Sequence, residues 1–345
     1  MVSLKSLHIE TGRGPMRRSL QLLSAVALSL GIACSNALAE TLYVSDYVAK
    51  DIYKVNAAGV NSIFASGMDA QPYSLAFSPA GQLYVTEFAA NEIYRVDSNG
   101  TQTGVALAPG AVGLAFDRTG DMFYSDFNNG QIYEIKPGHA AQRYSLGGVM
   151  TNPYGLAFDS SGNLFVADNA TGAIYCYPKP VGIATQSVPF YFGSAGLHPT
   201  YLAFNAAGKL FASCAGDSAI YEFAQNGARN TFTTDISTPY GLAFDHTGDL
   251  YVAQYTGDTS IEKFTPNGTM STFTNGIYPA VDVAFDGGLV NTATPEPGGA
   301  ALLLGACIVG AGITYRRRRA ALQLTLEYGA MQGPAGNFIG PVTGV

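Results

Sequence analysis

The amino-acid sequence contains no tryptophan and few charged side chains, which make up 12% of its 345 residues. The missing tryptophan excludes repeat families that are built on a Trp-Asp pair. The 41 glycines, 21 tyrosines and 19 phenylalanines are typical of a β-rich fold with many turns, not of a disordered chain. The sequence therefore favours a folded protein made of strands and turns.

Basic residues are scarce in the centre of the chain. Between residues 41 and 293 there are 10 Lys and Arg against 21 Asp and Glu, whereas arginines concentrate at 17–18 and 316–319. Such an acidic region repels phosphate backbones, so we expect no nucleic-acid partner. Cations, neutral glycans and basic proteins are all electrostatically acceptable.

Cysteine is rare as well, with four residues in the chain. Cys34 and Cys307 lie in apolar runs near the two ends, which leaves Cys176 and Cys214 in the central region. These two fall in different repeats, and a disulfide needs a close Cα–Cα approach that the sequence does not demonstrate. We expect two buried free thiols.

The N-terminal segment has the organisation of a signal peptide. Arg17 and Arg18 precede an apolar run, and an Ala-Leu-Ala cleavage site follows at 37–39. The apolar run is too short for a comfortable membrane span. We therefore expect an exported protein with a signal peptide over 1–39, and Met16 is an alternative start.

The C-terminal region contains a candidate membrane span. A linker over 289–297 ends in Pro-Glu-Pro, and 18 mostly apolar residues follow at 298–315. This length just suffices for a helix across a bilayer, and the four arginines at 316–319 would hold their flank in the cytoplasm. We predict one C-terminal transmembrane helix with the central region outside. We assign no role to the tail at 320–345.

The Pro-Glu-Pro triplet, the span and the arginine cluster together resemble the PEP-CTERM sorting signal. This resemblance implies an exosortase-type sorting peptidase as a partner, in bacteria that make exopolysaccharide. It also implies a location in the cell envelope or outside the cell, with the span at 298–315 anchoring the protein until it is processed. A simple C-terminal anchor is the alternative interpretation.

The central region repeats one motif. PYGLAFDSSGNLFVAD at 153–168 returns as PYGLAFDHTGDLYVAQ at 239–254 and as PYSLAFSPAGQLYVTE at 72–87. The phenylalanine of its LAF core recurs at spacings of 39, 42, 46, 40 and 41 residues, a period typical of propeller blades. Each unit holds four strand signals, namely an LAF strand, an LYV strand, an IY-x-V strand and a weaker outer strand. The LAF phenylalanines are Phe77, Phe116, Phe158, Phe204, Phe244 and Phe285.

The two ends of the repeat region complement each other. The region begins with an LYV strand at 42–46 that lacks an LAF strand before it, and it ends with an LAF-type strand at 281–288 that lacks an LYV strand after it. Joining the two completes a sixth sheet and removes an exposed edge. The pattern predicts six blades.

The P-x-G-L-A-F-D-x-x-G-x-L-Y-V-A-D pattern resembles the NHL repeat and covers about 41–288. The resemblance implies an all-β fold, a six-bladed β-propeller closed by the first and last strands of the domain. The predicted C-terminal transmembrane helix follows this domain. A propeller motif identifies architecture well and chemistry poorly.

One rim of the predicted channel should combine tyrosines with carboxylates, because two sets of loops open on the same face. The candidate ligand-binding residues there are Tyr73, Tyr154, Tyr201, Tyr240 and His198. Exposed tyrosines would suit stacking on a sugar ring or gripping a peptide, whereas buried ones would only pad neighbouring blades. His198 is one isolated imidazole, and no paired Ser/His/Asp arrangement is evident.

The carboxylates of the same rim have two interpretations. As turn caps, Asp46, Asp126 and Asp168 would accept backbone N–H groups. As ligands, they would hold a divalent cation such as calcium over the channel. Under the second interpretation, the domain resembles the metal-dependent gluconolactonase family. The candidate metal ligands are then Glu87, Asp126, Asp168 and Asp282.

The main functional hypothesis is a binding or scaffold module without catalytic residues or a cofactor. Its partners would be a glycan or an envelope protein, with a link to exopolysaccharide or biofilm. A metal-dependent hydrolase is the alternative. A lyase resembling the streptogramin-inactivating propellers ranks third, because the sequence lacks the histidine that it would need.

Overall fold

The computed structural model describes residues 40–145, 149–179, 190–196, 198–257 and 260–286. They form 24 strands in six four-stranded sheets, so the predicted all-β six-bladed propeller is confirmed. Among these residues, no helix is long and apolar enough to cross a bilayer. The predicted signal peptide at 1–39, the linker, the span at 298–315 and the tail all lie outside the described residues.

Each sheet is one blade, with an inner, a second, a third and an outer strand paired in that order. The inner strands carry the LAF core: β4 (Pro72–Phe77), β8 (Ala111–Phe116), β12 (Pro153–Phe158), β16 (Pro199–Phe204), β20 (Pro239–Phe244) and β24 (Ala280–Phe285). The second strands are β1 (Leu42–Asp46), β5 (Leu83–Glu87), β9 (Met122–Asp126), β13 (Leu164–Asp168), β17 (Leu210–Cys214) and β21 (Leu250–Gln254).

The third and outer strands complete the blades toward the outside of the ring. The third strands are β2 (Asp51–Val55), β6 (Glu92–Val96), β10 (Gln131–Ile135), β14 (Ala173–Tyr177), β18 (Ala219–Phe223) and β22 (Ser260–Phe264). The outer strands are β3 (Asn61–Ala65), β7 (Gln102–Leu107), β11 (Gln142–Arg143), β15 (Phe190–Ser194), β19 (Arg229–Thr233) and β23 (Met270–Asn275). All inner strands begin on one face of the ring, the start side, and end on the other, the turn side.

The ring closes through the blade that combines both ends of the domain. β24 pairs antiparallel with β1, in the sheet order β24-β1-β2-β3, and Leu42 lies opposite Phe285. Beyond the strands, Thr41 donates its N–H to Asp286 Oδ1 at 2.6 Å, and Asp286 donates its own N–H to the Thr41 carbonyl at 3.2 Å. The predicted closure is therefore confirmed.

Aromatic contacts between blades explain the fixed phenylalanine of the LAF core. Each of these rings packs on the aromatic side chain at the second position of the preceding blade's second strand, with ring centroids 4.9 to 5.2 Å apart. Such pairs contribute about 0.5–1.5 kcal/mol beyond the burial of their area. The six pairs are Tyr43–Phe77, Tyr84–Phe116, Phe123–Phe158, Phe165–Phe204, Phe211–Phe244 and Tyr251–Phe285.

Buried hydroxyl groups also join neighbouring blades. Ser125 Oγ accepts the Gly113 N–H of its own blade at 2.8 Å and donates to the Tyr154 carbonyl of the next blade at 2.6 Å. The inner strand is irregular at this point, so these backbone groups lie outside the regular ladder. Ser45, Thr86 and Ser213 make the same connection in their blades.

The two central cysteines are buried and free, as the sequence predicts. Cys176 and Cys214 belong to one apolar cluster between two adjacent blades. Burial raises the pKa of each thiol to about 12, so both are protonated and unreactive at neutral pH.

Candidate functional site

The four tyrosines singled out from the sequence lie together on the start side. Tyr73, Tyr154 and Tyr240 occupy the second position of their inner strands, and Tyr201 occupies the third position of β16. They form one cluster with four further aromatic residues, which we call the aromatic plate. The added members are Tyr47, Phe88, Phe127 and Tyr255.

Five tyrosines of the plate form a closed circuit. The centroid distances are 5.6 Å for Tyr47–Tyr73, 6.4 Å for Tyr73–Tyr154, 6.1 Å for Tyr154–Tyr240, 4.7 Å for Tyr240–Tyr255 and 5.9 Å for Tyr255–Tyr47. Tyr240 and Tyr255 stack on each other, and the other four pairs are tilted or edge-to-face. Aromatic rings attract each other in these arrangements at 4.5–7 Å, so each pair stabilises the circuit.

Two phenylalanines extend the plate on one side. Phe88 lies 5.8 Å from Tyr73 and 6.3 Å from Phe127, which in turn lies 6.0 Å from Tyr154. Phe88, Phe127, Tyr47 and Tyr255 each follow the last residue of a second strand directly. Sequence reasoning missed them because it considered the strand ends only. An aromatic residue one position later, in four of the six blades, is the signal that would have found them.

The plate is partly exposed, and its hydroxyl groups are neutral. Tyr154 and Tyr201 are buried, with 7% and 5% of their surface exposed, while the other six members are half-buried. Desolvation raises the pKa of Tyr73, Tyr154, Tyr201 and Tyr240 above the usual range. The plate therefore offers apolar ring surface together with hydroxyl groups that donate and accept hydrogen bonds.

The carboxylates at the ends of the second strands bind backbone N–H groups. Asp46 Oδ1 accepts from Val48 at 3.0 Å and from Ala49 at 2.8 Å. Asp126 caps the turn that follows it in the same way. Asp168 accepts from the loop that leads into β12, at 2.9 and 3.0 Å. These contacts agree with the turn-cap interpretation.

The structure does not bring the four candidate metal ligands into one group. Glu87, Asp126 and Asp168 end the second strands of three different blades, whereas Asp282 lies on inner strand β24. Within the described residues, no group of three or more His, Cys, Asp or Glu could hold a metal ion. The geometry thus gives the hydrolase interpretation no support.

Glu87 has an unusual environment among these carboxyl groups. It is fully buried, Oε2 accepts the Ala70 N–H at 2.7 Å, and Oε1 has no hydrogen-bond partner among the described groups. Burial raises its pKa to about 7, although the bond from Ala70 opposes the shift.

Asp282 connects three blades within the channel wall. Its Oδ2 accepts from Ser74 Oγ at 2.9 Å and from the Leu75 N–H at 2.8 Å, both on the neighbouring β4. Ser74 Oγ in turn accepts the Leu114 N–H of β8 at 3.2 Å. Burial raises the pKa of Asp282 to about 7.

The Tyr201 hydroxyl is directed to the same polar group. The charge of Asp282 raises its pKa further, and Ser74 lies close enough to interact with it. No hydrogen bond of normal geometry joins this hydroxyl to any described group.

His198 lies apart from the plate. It is exposed, adopts a positive φ of 52°, and its carbonyl accepts the Ala215 N–H at 3.1 Å. Its role in ligand binding stays a prediction that no contact with the plate supports.

A second opening, which the sequence did not indicate, lies on the turn side. A cavity of about 1420 Å³ is lined by the ends of the inner strands and by the turns that follow them. Phe77, Phe158, Phe204 and Phe244 contribute to its wall.

Comparison with known proteins identifies the fold and no family. No family model matches the chain, and no curated protein matches it. Nidogen, in a complex with laminin, is similar with a TM-score of 0.62 and 18% identity over 72% of this chain and 98% of that chain. Virginiamycin B lyase from Staphylococcus aureus is similar at 0.54 and 19%, over 69% and 81% of the two chains.

A gluconolactonase from Xanthomonas campestris is similar with a TM-score of 0.55 and 18% identity, over 62% of this chain and 79% of that chain. These neighbours comprise proteins with different activities, so the likeness extends to architecture alone. The chain is a six-bladed β-propeller, and its fold is similar to those of nidogen, the gluconolactonase and the lyase.

Proposed function

We propose that this chain is an exported binding module that holds a glycan on its aromatic plate. The observation that carries the proposal is the plate itself, eight aromatic rings gathered at one mouth of the channel. Such a surface suits sugars, because the apolar face of a sugar ring stacks on an aromatic ring while its hydroxyl groups exchange hydrogen bonds with tyrosines.

The residues around the plate favour the binding of a ligand over its enzymatic conversion. The neighbouring carboxylates Asp46, Asp126 and Asp168 are occupied with backbone N–H groups, so they hold the loops that carry the rings. The capping contacts thus account for these carboxylates without a catalytic role.

Several exposed apolar side chains lie on the same side of the ring as the plate. Val48 is 68% exposed, Leu107 77% and Tyr278 47%, and all three lie on the start side, in loops or at the end of an outer strand. A concentration of apolar surface on one face of a protein marks an interaction site.

The proposed address of the protein is the cell envelope. The signal peptide at 1–39 would export it, the span at 298–315 would anchor it, and an exosortase-type peptidase would process the anchor. β24 ends at Phe285 on the turn side, whereas the plate lies on the start side. The described domain therefore ends on the side of the ring opposite the plate.

Glycan binding can be measured through intrinsic tyrosine fluorescence, since the chain has no tryptophan. We expect oligosaccharides to change the emission of the purified chain in a saturable way. Replacing Tyr240 or Tyr255 with alanine should weaken the affinity about tenfold, because one lost ring contact corresponds to about 1.4 kcal/mol.

Tyr191→Ala is the matched control. Tyr191 lies on outer strand β15, is 60% exposed, and does not belong to the plate. Its removal should leave the affinity unchanged. The proposal fails if no oligosaccharide binds, or if the control variant weakens binding as much as the plate variants do.

A further inference from the structure

We infer that the plate selects a cationic glycan, a polymer of sugars that carry protonated amino groups. The inference rests on the proposed function and adds the chemical class of the ligand. Two independent observations support it, the charge of the start side and the electrostatic character of the rings.

Carboxyl groups dominate the start side. The loops that lead into the inner strands, the loops between second and third strands, and the strand ends that border them carry two Lys or Arg in the described part, Lys50 and Arg143. The carboxyl groups at the same places are Asp46, Asp51, Asp69, Glu87, Glu92, Asp126, Asp168, Asp217 and Asp235.

Two cations near this side are engaged with groups outside the plate. Lys50 donates from Nζ to the Asp69 carbonyl at 3.1 Å. Arg229, whose guanidinium reaches the neighbourhood of Gly196, lies over the Tyr221 ring at 4.2 Å. The capping bonds to Asp46, Asp126 and Asp168 come from neutral backbone N–H groups, which bring no positive charge to these carboxyl groups.

Within the described residues, no Lys or Arg of the chain lies over a ring of the plate. Aromatic rings attract ammonium and guanidinium groups through their quadrupole. In the described part of the chain, such pairs occur at Tyr221 and Tyr251, which are not members of the plate. The rings of the plate and the surrounding carboxylates therefore favour the same kind of ligand.

The chemistry also excludes a class of glycan. An anionic polymer would approach the carboxylates of the start side without a cluster of Lys or Arg to receive it, and like charges brought together oppose binding. A neutral glycan would bind through stacking alone. A cationic one adds an attraction that salt weakens, because the Debye length falls from about 10 Å at 0.1 M to 3 Å at 1 M.

The test compares three tetrasaccharides of matched length on the full chain, by tyrosine fluorescence and calorimetry at about pH 5.5, below the pKa of an amino group. They are built from glucosamine, from N-acetylglucosamine and from galacturonic acid. We expect the glucosamine tetramer to bind at least about tenfold tighter than the acetylated one in dilute buffer, and this gap to close at 1 M salt. The acidic tetramer should not bind.

Charge variants locate the effect. Asp235 is exposed on the start side, in the loop that leads into β20, and its carboxyl group has no partner among the described groups. Asp97, the control position, is exposed on the turn side. Asp235→Asn should weaken binding of the cationic tetramer about twofold and leave the neutral one unchanged. Asp97→Asn, which retains the oxygen that caps its turn, should change neither.

The outcomes separate the two claims. Equal affinity for the cationic and neutral tetramers would overturn the inference and leave the proposed glycan-binding function standing. Failure of all three sugars to bind would overturn both. Binding of an oligolysine in place of the sugars would also overturn both, and it would identify a basic protein as the ligand.

Discussion

We expect the free energy of unfolding of the propeller to fall as the pH rises from about 4 to about 8, because of Asp282. Replacing Asp282 with asparagine should abolish this fall. Asp282 is 4% exposed, lies on the closing strand β24, and has no cation among its described contacts. Desolvation raises its pKa to about 7, although hydrogen bonds from Ser74, Leu75 and Val283 oppose the shift.

The sign of the effect follows from the direction of this shift. The unfolded chain has an ordinary aspartate with a pKa of 3.8, so above this pH it releases a proton that the folded state retains. The stabilisation is fully present below the unfolded pKa and is lost as the pH rises through 7. A difference of about three pKa units corresponds to about 4 kcal/mol, at 1.36 kcal/mol per unit.

The assay is denaturant unfolding of the two proteins at several pH values, with the difference in free energy of unfolding plotted against pH. The substitution also removes a hydrogen bond from β4, but that cost is independent of pH, so the slope is the readout. We expect the variant to gain about 4 kcal/mol relative to the parent between pH 4 and pH 8. Asp235→Asn serves as the exposed control and should show a flat difference. A flat difference for Asp282→Asn would refute the reasoning.

Two further predictions concern the blades and the carboxylates. Ser125→Ala should lower the free energy of unfolding by about 1–3 kcal/mol, because the buried Gly113 N–H loses its partner, and an unchanged denaturation midpoint would contradict this role. Ser62→Ala, at an exposed position of β3, is the control. Adding calcium or EDTA should leave the melting temperature unchanged, since Glu87, Asp126, Asp168 and Asp282 form no common site; a calcium-dependent rise that Asp126→Asn abolishes would restore the hydrolase hypothesis.

The fold could be predicted because the blade motif recurs six times in the sequence. The LAF phenylalanines mark each blade at a nearly constant spacing. In the structure, each of them packs on an aromatic residue at the same strand position of the preceding blade. The closing blade was predictable because the strands at 42–46 and 280–285 each lacked what the other supplied.

The site could be predicted only in part. The repeat aligns Tyr73, Tyr154 and Tyr240, so their common side follows from the motif, and their role in ligand binding stays a prediction. Tyr47 and Phe127 lie one residue beyond the motif, so the aromatic residue that four of the six blades carry there was overlooked.

The carboxylates show a different limit of sequence reasoning. A turn cap and a metal ligand both require an oxygen at the same strand end, so the residue type at Asp126 or Asp168 cannot decide between them. The decision depends on distances to backbone N–H groups across a loop, which only three-dimensional coordinates supply.

The closing seam has a mechanical consequence. If the chain is held after Asp286 and a ligand pulls on the plate, the force runs along β24 from its end on the turn side to its start beside the rings. Because β1 pairs with β24 along this length, the cross-strand bonds are loaded together in shear and do not open one after another. The bonds from Ser74 and Leu75 to Asp282 pass part of the load to β4. The closing blade would thus resist a pull along β24 with many cross-strand bonds at once.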